Sequence, residues 1–318
     1  DLFRCDPNTR DLVPINCSTC AKNPSAAVPD WRELVSDSIF FDQRRCTYSI
    51  VLDTGIEGIP SNDFVIQLLK TRGLKLILED LKKGRKLYDK LHIPKAIFFD
   101  INNLCDKTSD LPHMLPKKQI FKKYLDKNGI SKEDEIIVYD QVGFFSSARA
   151  WFTFKYFGFN KVKILNEGFL MWEKKNYPTD NKIHKKETTN NKLTENKNLL
   201  EKKAFIEKNI KSKNILVIDA RSRKRFLGIE KEPRKNLKSG NIPGSINIPY
   251  SSLSKNGRFL NFKDLSKVFN TKLSLKEQKI ICSCGSGITA CNLIFALDIL
   301  GYNNVKLYDG SWAEWGKK

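Results

Sequence analysis

The stretch Cys284-Gly285-Ser286-Gly287-Ile288-Thr289 separates an apolar run at 279–282 from a longer apolar run at 290–300. The first run has the length of a buried strand and the second that of a helix, so the pattern predicts strand, tight loop and helix. The two glycines let the loop curl until its N–H groups converge at the start of the helix. Such a unit is typical of an α/β fold.

Cys284 is a candidate nucleophile because of this position. Unpaired N–H groups at 285–289 would stabilise a thiolate, or a sulfur carried on it. The alternative is a structural cysteine, half-buried before a helix. The functional interpretation is favoured, since the Cys-Gly-Ser-Gly sequence offers a nucleophile and an anion cradle together.

Length and charge limit the classes of function. A chain of 318 residues with 40% hydrophobic content can form two domains with full cores. No apolar run approaches the roughly 20 residues of a membrane helix, so no membrane partner is expected, and a leader removed before Asp1 stays open. The net charge of +20 suits anionic ligands. Nucleic-acid binding is not favoured, because the lysines are dispersed without an aromatic stripe.

The eight cysteines are unevenly spaced, which argues against a disulfide framework and favours a reducing compartment. We therefore expect a cytoplasmic protein, or a mitochondrial one if the source is eukaryotic. Cys17-x-x-Cys20, with Cys5 and Cys46 nearby, has the ligand types of a zinc site. The irregular outer spacing favours unpaired thiols instead. Residues 1–59 are an N-terminal extension of unknown role.

The second half of the chain repeats the first. In the first half we predict a helix after 61–63 that Gly73 ends, helices at 116–125 and 147–157, and strands at 74–78, 96–100, 135–139 and 162–165. In the second half the strands at 215–219 and 279–282 and the segment 241–249 follow in the same order. Paired features close each half: Gly158 with Gly301, Gly168 with Gly310, and Trp172 with Trp315.

This repeat predicts two α/β domains, at 60–178 and 201–318, each with a mainly parallel sheet covered by helices on both faces. The Lys-, Asn- and Thr-rich segment 179–200 is predicted to be a solvated linker. Asp140 ends its strand where Cys284 ends the equivalent strand. The first domain is therefore predicted to be non-catalytic and the second catalytic.

Two such domains, with Asp in one loop and Cys in the other, resemble the tandem-domain rhodanese family, and the Cys284 loop resembles that of the 3-mercaptopyruvate sulfurtransferases within it. Further matching motifs are found in both halves. They are Ile97-Phe98-Phe99-Asp100-Ile101, Pro112-His113-Met114-Leu115, Asp219-Ala220-Arg221, Arg225-Phe226-Leu227-Gly228, Glu232-Pro233-Arg234, Ile242-Pro243-Gly244 and Tyr308-Asp309-Gly310-Ser311-Trp312.

The resemblance implies a reaction. The Cys284 thiolate attacks the sulfur of 3-mercaptopyruvate, pyruvate leaves, and the enzyme persulfide passes its sulfur to a thiol, a thioredoxin-like protein or cyanide. No metal or organic cofactor is expected, and the protein is expected to be a monomer or a weak dimer.

The resemblance also assigns roles to residues. Arg225 and Arg234 match the positions that bind the carboxylate and keto oxygen of the donor, which suits a planar guanidinium. The loop N–H groups of Gly285, Gly287, Ile288 and Thr289 would hold the sulfur anion. Arg221, directly after a strand, is expected to form a structural salt bridge instead.

Ser286 and His113 match two members of a Ser/His/Asp set that moves a proton as pyruvate leaves. The third position of the set is Asn102 in this sequence, where the family has Asp. Asn can hold the imidazole by a hydrogen bond but cannot stabilise an imidazolium with a charge. The family's Asp-Ala-Ser-Trp segment after the first strand is also absent.

Three alternatives accompany this prediction. A thiosulfate:cyanide sulfurtransferase would use the same chemistry, but a dianionic donor favours Lys or Arg where Gly285 and Ser286 stand. A sulfur carrier acting with a partner would use the positive charge for docking. A Cys-dependent phosphatase would need an Arg at the end of the loop, where Thr289 and Ala290 stand.

Overall fold

A computed structural model of the chain describes residues 84–183, 187–270 and 279–318 and, earlier in the chain, five strands. The chain forms two compact units, Asp1–Gly55 and Ile56–Lys318. In the first unit, two antiparallel pairs are described, β1 (Phe3–Cys5) with β2 (Leu12–Pro14) and β3 (Ile39–Asp42) with β4 (Thr47–Ile50). The zinc hypothesis at Cys17 and Cys20 and the helix predicted after Ser61 lie outside the described residues.

The first sheet of the second unit has four parallel strands in the order β6-β5-β7-β8. Its strands are β5 (Leu74–Glu79), β6 (Ile97–Phe99), β7 (Glu135–Tyr139) and β8 (Val162–Ile164). Its helices are α1 (Gly84–Lys90), α2 (Lys118–Lys127), α3 (Ser147–Tyr156) and α4 (Gly168–Lys174).

The second sheet has five parallel strands in the order β11-β10-β14-β15-β9. Its strands are β9 (Leu200–Glu201), β10 (Ile215–Asp219), β11 (Ile246–Asn247), β14 (Lys279–Ser283) and β15 (Val305–Tyr308). Its helices are α5 (Lys203–Asn209), α6 (Arg223–Phe226), α7 (Phe262–Asn270), α8 (Ala290–Ile299) and α9 (Ser311–Trp315). A small antiparallel pair, β12 (Ser254–Lys255) with β13 (Arg258–Phe259), lies outside this sheet.

The two sheets share one topology, which confirms the predicted repeat and the α/β fold class. The order β6-β5-β7-β8 corresponds strand by strand to β11-β10-β14-β15. In each sheet a parallel strand lies on both sides of β7 or β14, which explains why these two strands are apolar runs rather than alternating ones. Each leads directly into a loop and a helix, and Asp140 and Cys284 begin the two loops.

The helices that follow these loops, α3 and α8, pack into one shared core. Trp151 and Phe295 meet edge to face, with 5.0 Å between ring centroids. Residues 290–297 of α8 are all buried, so this helix is enclosed around its whole circumference, and Asn292 is its one polar residue in that stretch. The loop carrying Cys284 is therefore attached to one of the most enclosed helices of the fold. Among the described residues, no helix is long and apolar enough to cross a bilayer.

The segment 179–200 differs from the prediction of a solvated linker. Asn191 and Leu193 are buried, and Asp126 Oδ1 on α2 accepts hydrogen bonds from Asn191 N (2.9 Å) and Asn191 Nδ2 (2.8 Å). At the start of the segment, His92 and Asp180 form a β-bridge. Part of this segment is thus anchored to the first domain, because its polar side chains find partners there.

Candidate active site

The Cys284 loop is held in place by the first turn of α9. Ser311 Oγ accepts hydrogen bonds from Cys284 N at 3.0 Å and from Gly287 N at 3.1 Å, and it donates to Tyr308 O at 2.8 Å. Trp312 N donates to Cys284 O at 2.9 Å. These bonds fix the backbone on both sides of a buried cysteine.

Gly287 has a structural role in place of the predicted one. Its N–H is engaged by Ser311, so it cannot serve an anion at Cys284. Its φ is +76°, and a Cβ at this position would lie 2.5 Å from Asp309 Oδ1. Within the described part of the chain, the N–H groups of Gly285, Ser286, Ile288 and Thr289 donate no hydrogen bond. These four amides are the ones left for an anion.

The equivalent loop of the first domain contains an anion of its own. The Asp140 carboxylate accepts hydrogen bonds from the N–H groups of Gly143 (2.5 Å), Phe145 (2.9 Å), Ser146 (3.0 Å) and Ser147 (3.0 Å). A loop between a central strand and a helix in this fold thus binds negative charge through its backbone. In the second domain, a thiolate or persulfide of Cys284 would stand at the matching place in sequence.

His113 lies between Ser286 and Asn102. Its Nδ1 is 3.2 Å from Ser286 Oγ, and its Nε2 is 3.3 Å from Asn102 Oδ1. With the amide oxygen facing the ring, Nε2 donates to Asn102, and Nδ1 accepts the Ser286 hydroxyl proton. Burial, followed by the charges of Arg234 and Arg149, lowers the pKa of His113 to about 4. The imidazole is therefore neutral at pH 7.

Arg225 and Arg234 both reach the Cys284 loop. A Cβ built on Gly285 would lie 3.1 Å from Arg225 Nη2 and 3.7 Å from Arg234 Nη1, and Arg234 Nη2 lies 3.4 Å from Ser286 Oγ. The Glu232 carboxylate is buried and accepts from Arg225 Nε at 3.2 Å, which orients that guanidinium. Two cations thus converge beside the cysteine, as a small anionic ligand requires.

Arg221 has the structural role predicted for it. It pairs with Asp219 and Glu232, at 2.7 Å in each case, and both of its side-chain partners are buried. Its guanidinium lies over the Trp312 ring, 4.2 Å from the centroid. By sharing Glu232 with Arg225, it connects Arg225 to the core of the domain.

Arg149 is a site residue that the sequence did not reveal. This buried side chain on α3 forms a 2.7 Å ion pair with Asp309 Oδ1 and donates to His113 O at 2.5 Å. His113 has φ of 61°, an uncommon backbone conformation that needs support from its surroundings. Asp309 Oδ2 also accepts from Leu115 N at 2.7 Å. An arginine between Ala148 and Ala150, just before the apolar pair Trp151-Phe152, was the available signal.

The other described cysteines are unreactive by environment. Burial raises the pKa of Cys291 to about 12 and that of Cys282 well above its ordinary value. Burial also raises the pKa of Cys105, whose Sγ donates to Asn102 O at 3.1 Å. These three thiols stay protonated at neutral pH, whereas Cys284 lies in the loop with free amides and two arginines.

A loop cysteine in the second of two repeated α/β domains, with a carboxylate in the first, defines a class of protein. The Rhodanese-like domain family matches residues 63–175 and 203–318, and the chain belongs to this family. The family assignment from the sequence is thereby confirmed.

Named relatives cover most of the chain. The chain is 35% identical to the 3-mercaptopyruvate sulfurtransferase of Escherichia coli K12, over 81% of this chain and 91% of that protein. It is 35% identical to the mitochondrial thiosulfate/3-mercaptopyruvate sulfurtransferase 1 of Arabidopsis thaliana, over 86% and 79%. It is also 35% identical to the thiosulfate sulfurtransferase of Rattus norvegicus, over 74% and 81%.

Solved structures agree with the fold. The crystal structure of SseA from Escherichia coli, a 3-mercaptopyruvate sulfotransferase of the rhodanese fold, superposes with a TM-score of 0.73 at 31% identity and covers 81% of this chain and 99% of that one. The Tum1 protein of Saccharomyces cerevisiae gives a TM-score of 0.71 at 31% identity, over 81% and 94%.

Proposed function

We propose that this protein is a sulfurtransferase that takes sulfur from 3-mercaptopyruvate onto Cys284 and passes it to a thiol, a thioredoxin-like protein or cyanide. The observation that carries the proposal is the convergence of Arg225, Arg234 and the Ser286–His113 pair on the loop that begins at Cys284. The names of the relatives place the chain among sulfurtransferases.

The donor step begins with attack of the Cys284 thiolate on the donor's sulfur. A sulfur–sulfur bond forms, the carbon–sulfur bond breaks, and its electron pair goes to C3 of the pyruvate enolate. The donor's thiol proton passes through Ser286 to His113 Nδ1 and returns to C3. Cysteine thiolate and mercaptopyruvate thus give cysteine persulfide anion and pyruvate, with no oxidant required. A neutral His113 whose Nδ1 accepts from Ser286 is prepared for this relay.

The arginines select the donor. A 2-keto acid carries a carboxylate and an adjacent keto oxygen, and two guanidinium groups beside Cys284 provide donors for both. Arg234 lies beside Ser286, so binding and proton transfer occur at the same place. The amides of Gly285, Ser286, Ile288 and Thr289 stabilise the persulfide anion.

Thiosulfate is the second candidate donor, since relatives of both names share 35% identity with the chain. The neutral Gly285-Ser286 pair favours the keto acid as the donor. The additional negative charge of thiosulfate would favour a cationic side chain at one of these two positions. Turnover on the two donors, measured at equal acceptor concentration, tests the choice. A higher kcat/KM for thiosulfate would contradict it.

The domain boundaries and the location remain part of the proposal. We assign the chemistry to residues 201–318, with residues 60–178 supplying Asn102, His113 and Arg149. A reducing compartment, the cytoplasm or the mitochondrial matrix, suits a protein with several free thiols. A monomer or weak dimer is sufficient, since both domains of the site come from one chain.

A further inference from the structure

A pocket adjoins the site on the far side of Arg234. Its volume is about 290 Å³, and its walls come from the 110–112 loop of the first domain and from segments 234–237 and 313–318 of the second. The pocket shares Arg234 with the site, and Ala313 in its wall donates through N to Gly285 O at 3.0 Å. Pro112 in its wall immediately precedes His113. The pocket is therefore a direct extension of the surroundings of Cys284.

The charges around this pocket are unbalanced. Four basic side chains line it, namely Arg234, Lys235, Lys317 and Lys318, against one acidic side chain, Asp110. The three lysines are exposed, whereas Arg234, which also contacts the Cys284 loop, is half-buried. Such an arrangement attracts a ligand with more than one negative charge.

The pocket is larger than a three-carbon keto acid needs. Arg225 and Arg234 already supply the two cations for that donor beside Gly285. The proposed donor step involves no contact with the three lysines of the pocket, Lys235, Lys317 and Lys318. A second small ligand must reach the persulfide after pyruvate leaves, and it must arrive next to the same loop.

We infer that this pocket is the acceptor subsite and that it selects a small thiol carrying two or more carboxylates. The inference rests on the proposed sulfur transfer at Cys284. The acceptor's carboxylates bind Lys235, Lys317 and Lys318, and its thiol points past Arg234 towards Cys284. A single exposed ion pair between a lysine and a carboxylate contributes little to the free energy of binding. Several such pairs act together on a ligand with more than one negative charge.

The acceptor step balances without a further reactant. The acceptor sulfur attacks the outer sulfur of the Cys284 persulfide anion and forms a new sulfur–sulfur bond. The bond to Cys284 Sγ breaks, and its electron pair regenerates the thiolate. The acceptor's thiol proton ends on the product, so persulfide anion and thiol give cysteine thiolate and an organic persulfide.

The test compares two thiols with the full-length protein, mercaptosuccinate as a dicarboxylate and 2-mercaptoethanol as a neutral acceptor. The ratio of their kcat/KM values is measured in the wild type, in the double variant Lys235→Glu/Lys317→Glu and in Lys263→Glu, a control with the same kind of substitution at one exposed position on α7. We expect the double variant to lower the ratio by about tenfold, since repulsion replaces attraction at two positions. Lys263→Glu should leave it unchanged.

A second readout separates this inference from the proposed function. Persulfide formation in the wild type, followed by mass spectrometry after addition of 3-mercaptopyruvate alone, tests the donor step. If no sulfur is gained, the proposed function fails and the acceptor subsite fails with it. If sulfur is gained but the double variant and Lys263→Glu give the same ratio as the wild type, the subsite is refuted while the proposed function stands.

Discussion

Arg149 on the first-domain helix α3 and Asp309 in the second domain form a buried ion pair, with 2.7 Å between Nη1 and Oδ1. The same guanidinium donates to His113 O, and the same carboxylate accepts from Leu115 N. Gly287 packs against Asp309. This pair therefore joins the His113 turn of one domain to the Cys284 loop of the other, and it positions the residues of the proposed proton relay.

Removing one partner of this pair should be costly. Arg149→Met leaves the Asp309 carboxylate buried without its counter-ion, and we expect a loss of about 3–5 kcal/mol in the free energy of unfolding. Urea denaturation measures this loss. The exposed pair of Arg85 and Asp89 is the matched control: Arg85→Met should cost at most about 1 kcal/mol. Equal losses in the two variants would show that burial of the Arg149–Asp309 pair is not what matters.

Asn102→Asp should shift the pH dependence of turnover. His113 has a pKa of about 4, and a carboxylate facing Nε2 would favour the imidazolium and raise that pKa towards about 6. Because the relay needs neutral His113, the acid limb of the kcat/KM profile should move to higher pH by a similar amount. Profiles between pH 4 and 8 measure the shift. Asn176→Asp, an exposed change of the same kind, is the control, and identical profiles for all three proteins would remove Asn102 and His113 from the proton path.

The lowered pKa of His113 also predicts how the free energy of unfolding changes with pH. The folded value of about 4 lies below the ordinary value of 6.5. Between these two pH values the unfolded chain binds more protons at this residue, so the contribution of His113 to folding falls as pH drops from 6.5 to 4. In His113→Gln, urea midpoints should depend less on pH across this window than in the wild type. Equal slopes in the two proteins would contradict the assignment.

Gly287→Ala should lower the free energy of unfolding by more than the cost of placing alanine in a left-handed backbone conformation. Gly287 and Gly301 have φ of +76° and +78°, but a Cβ on Gly287 would meet Asp309 Oδ1 at 2.5 Å whereas one on Gly301 meets nothing within 4 Å. Gly301→Ala should cost about 1 kcal/mol from the left-handed conformation alone. Gly287→Ala should cost about 2–3 kcal/mol in the free energy of unfolding and lower kcat. Equal losses of stability in the two variants would mean that the Asp309 side chain moves away from the added methyl group at no cost.

Arg225→Ala and Arg234→Ala should act mainly on donor binding. Each removes a proposed charge-assisted contact to the keto acid, so we expect KM for 3-mercaptopyruvate to rise by about tenfold or more in each variant. Arg223→Ala, an exposed arginine on the same short helix as Arg225, is the control and should leave KM unchanged. An unchanged KM in both Arg225→Ala and Arg234→Ala would end their assignment to the donor.

The parallel sheets and the loop that starts at Cys284 could be predicted from the sequence, since short apolar runs such as 136–139 and 280–282 indicate buried strands and the glycines after Cys284 indicate a turn. The order of Asp140 and Cys284 in the two halves also followed from the repeat. Arg149 did not, because its partners Asp309 and His113 are 160 and 36 positions away, and no local pattern records such contacts.

Two further features depended on three-dimensional packing. Gly287 was expected to point its N–H at the sulfur, but in the folded loop it donates to Ser311 Oγ at 3.1 Å. Asn191 belongs to a polar segment whose composition indicates a solvated linker, yet Asp126 binds it and buries it. Composition measures average polarity, and it cannot show which polar groups find partners.

The most direct test of sulfur transfer at Cys284 is the mass of the Cys284 peptide after the protein reacts with 3-mercaptopyruvate in the absence of any acceptor. We predict a gain of one sulfur atom on that peptide, release of one pyruvate per sulfur, and neither in Cys284→Ser. A sulfur gained on Cys105, Cys282 or Cys291, or pyruvate released at the wild-type rate by Cys284→Ser, would contradict it.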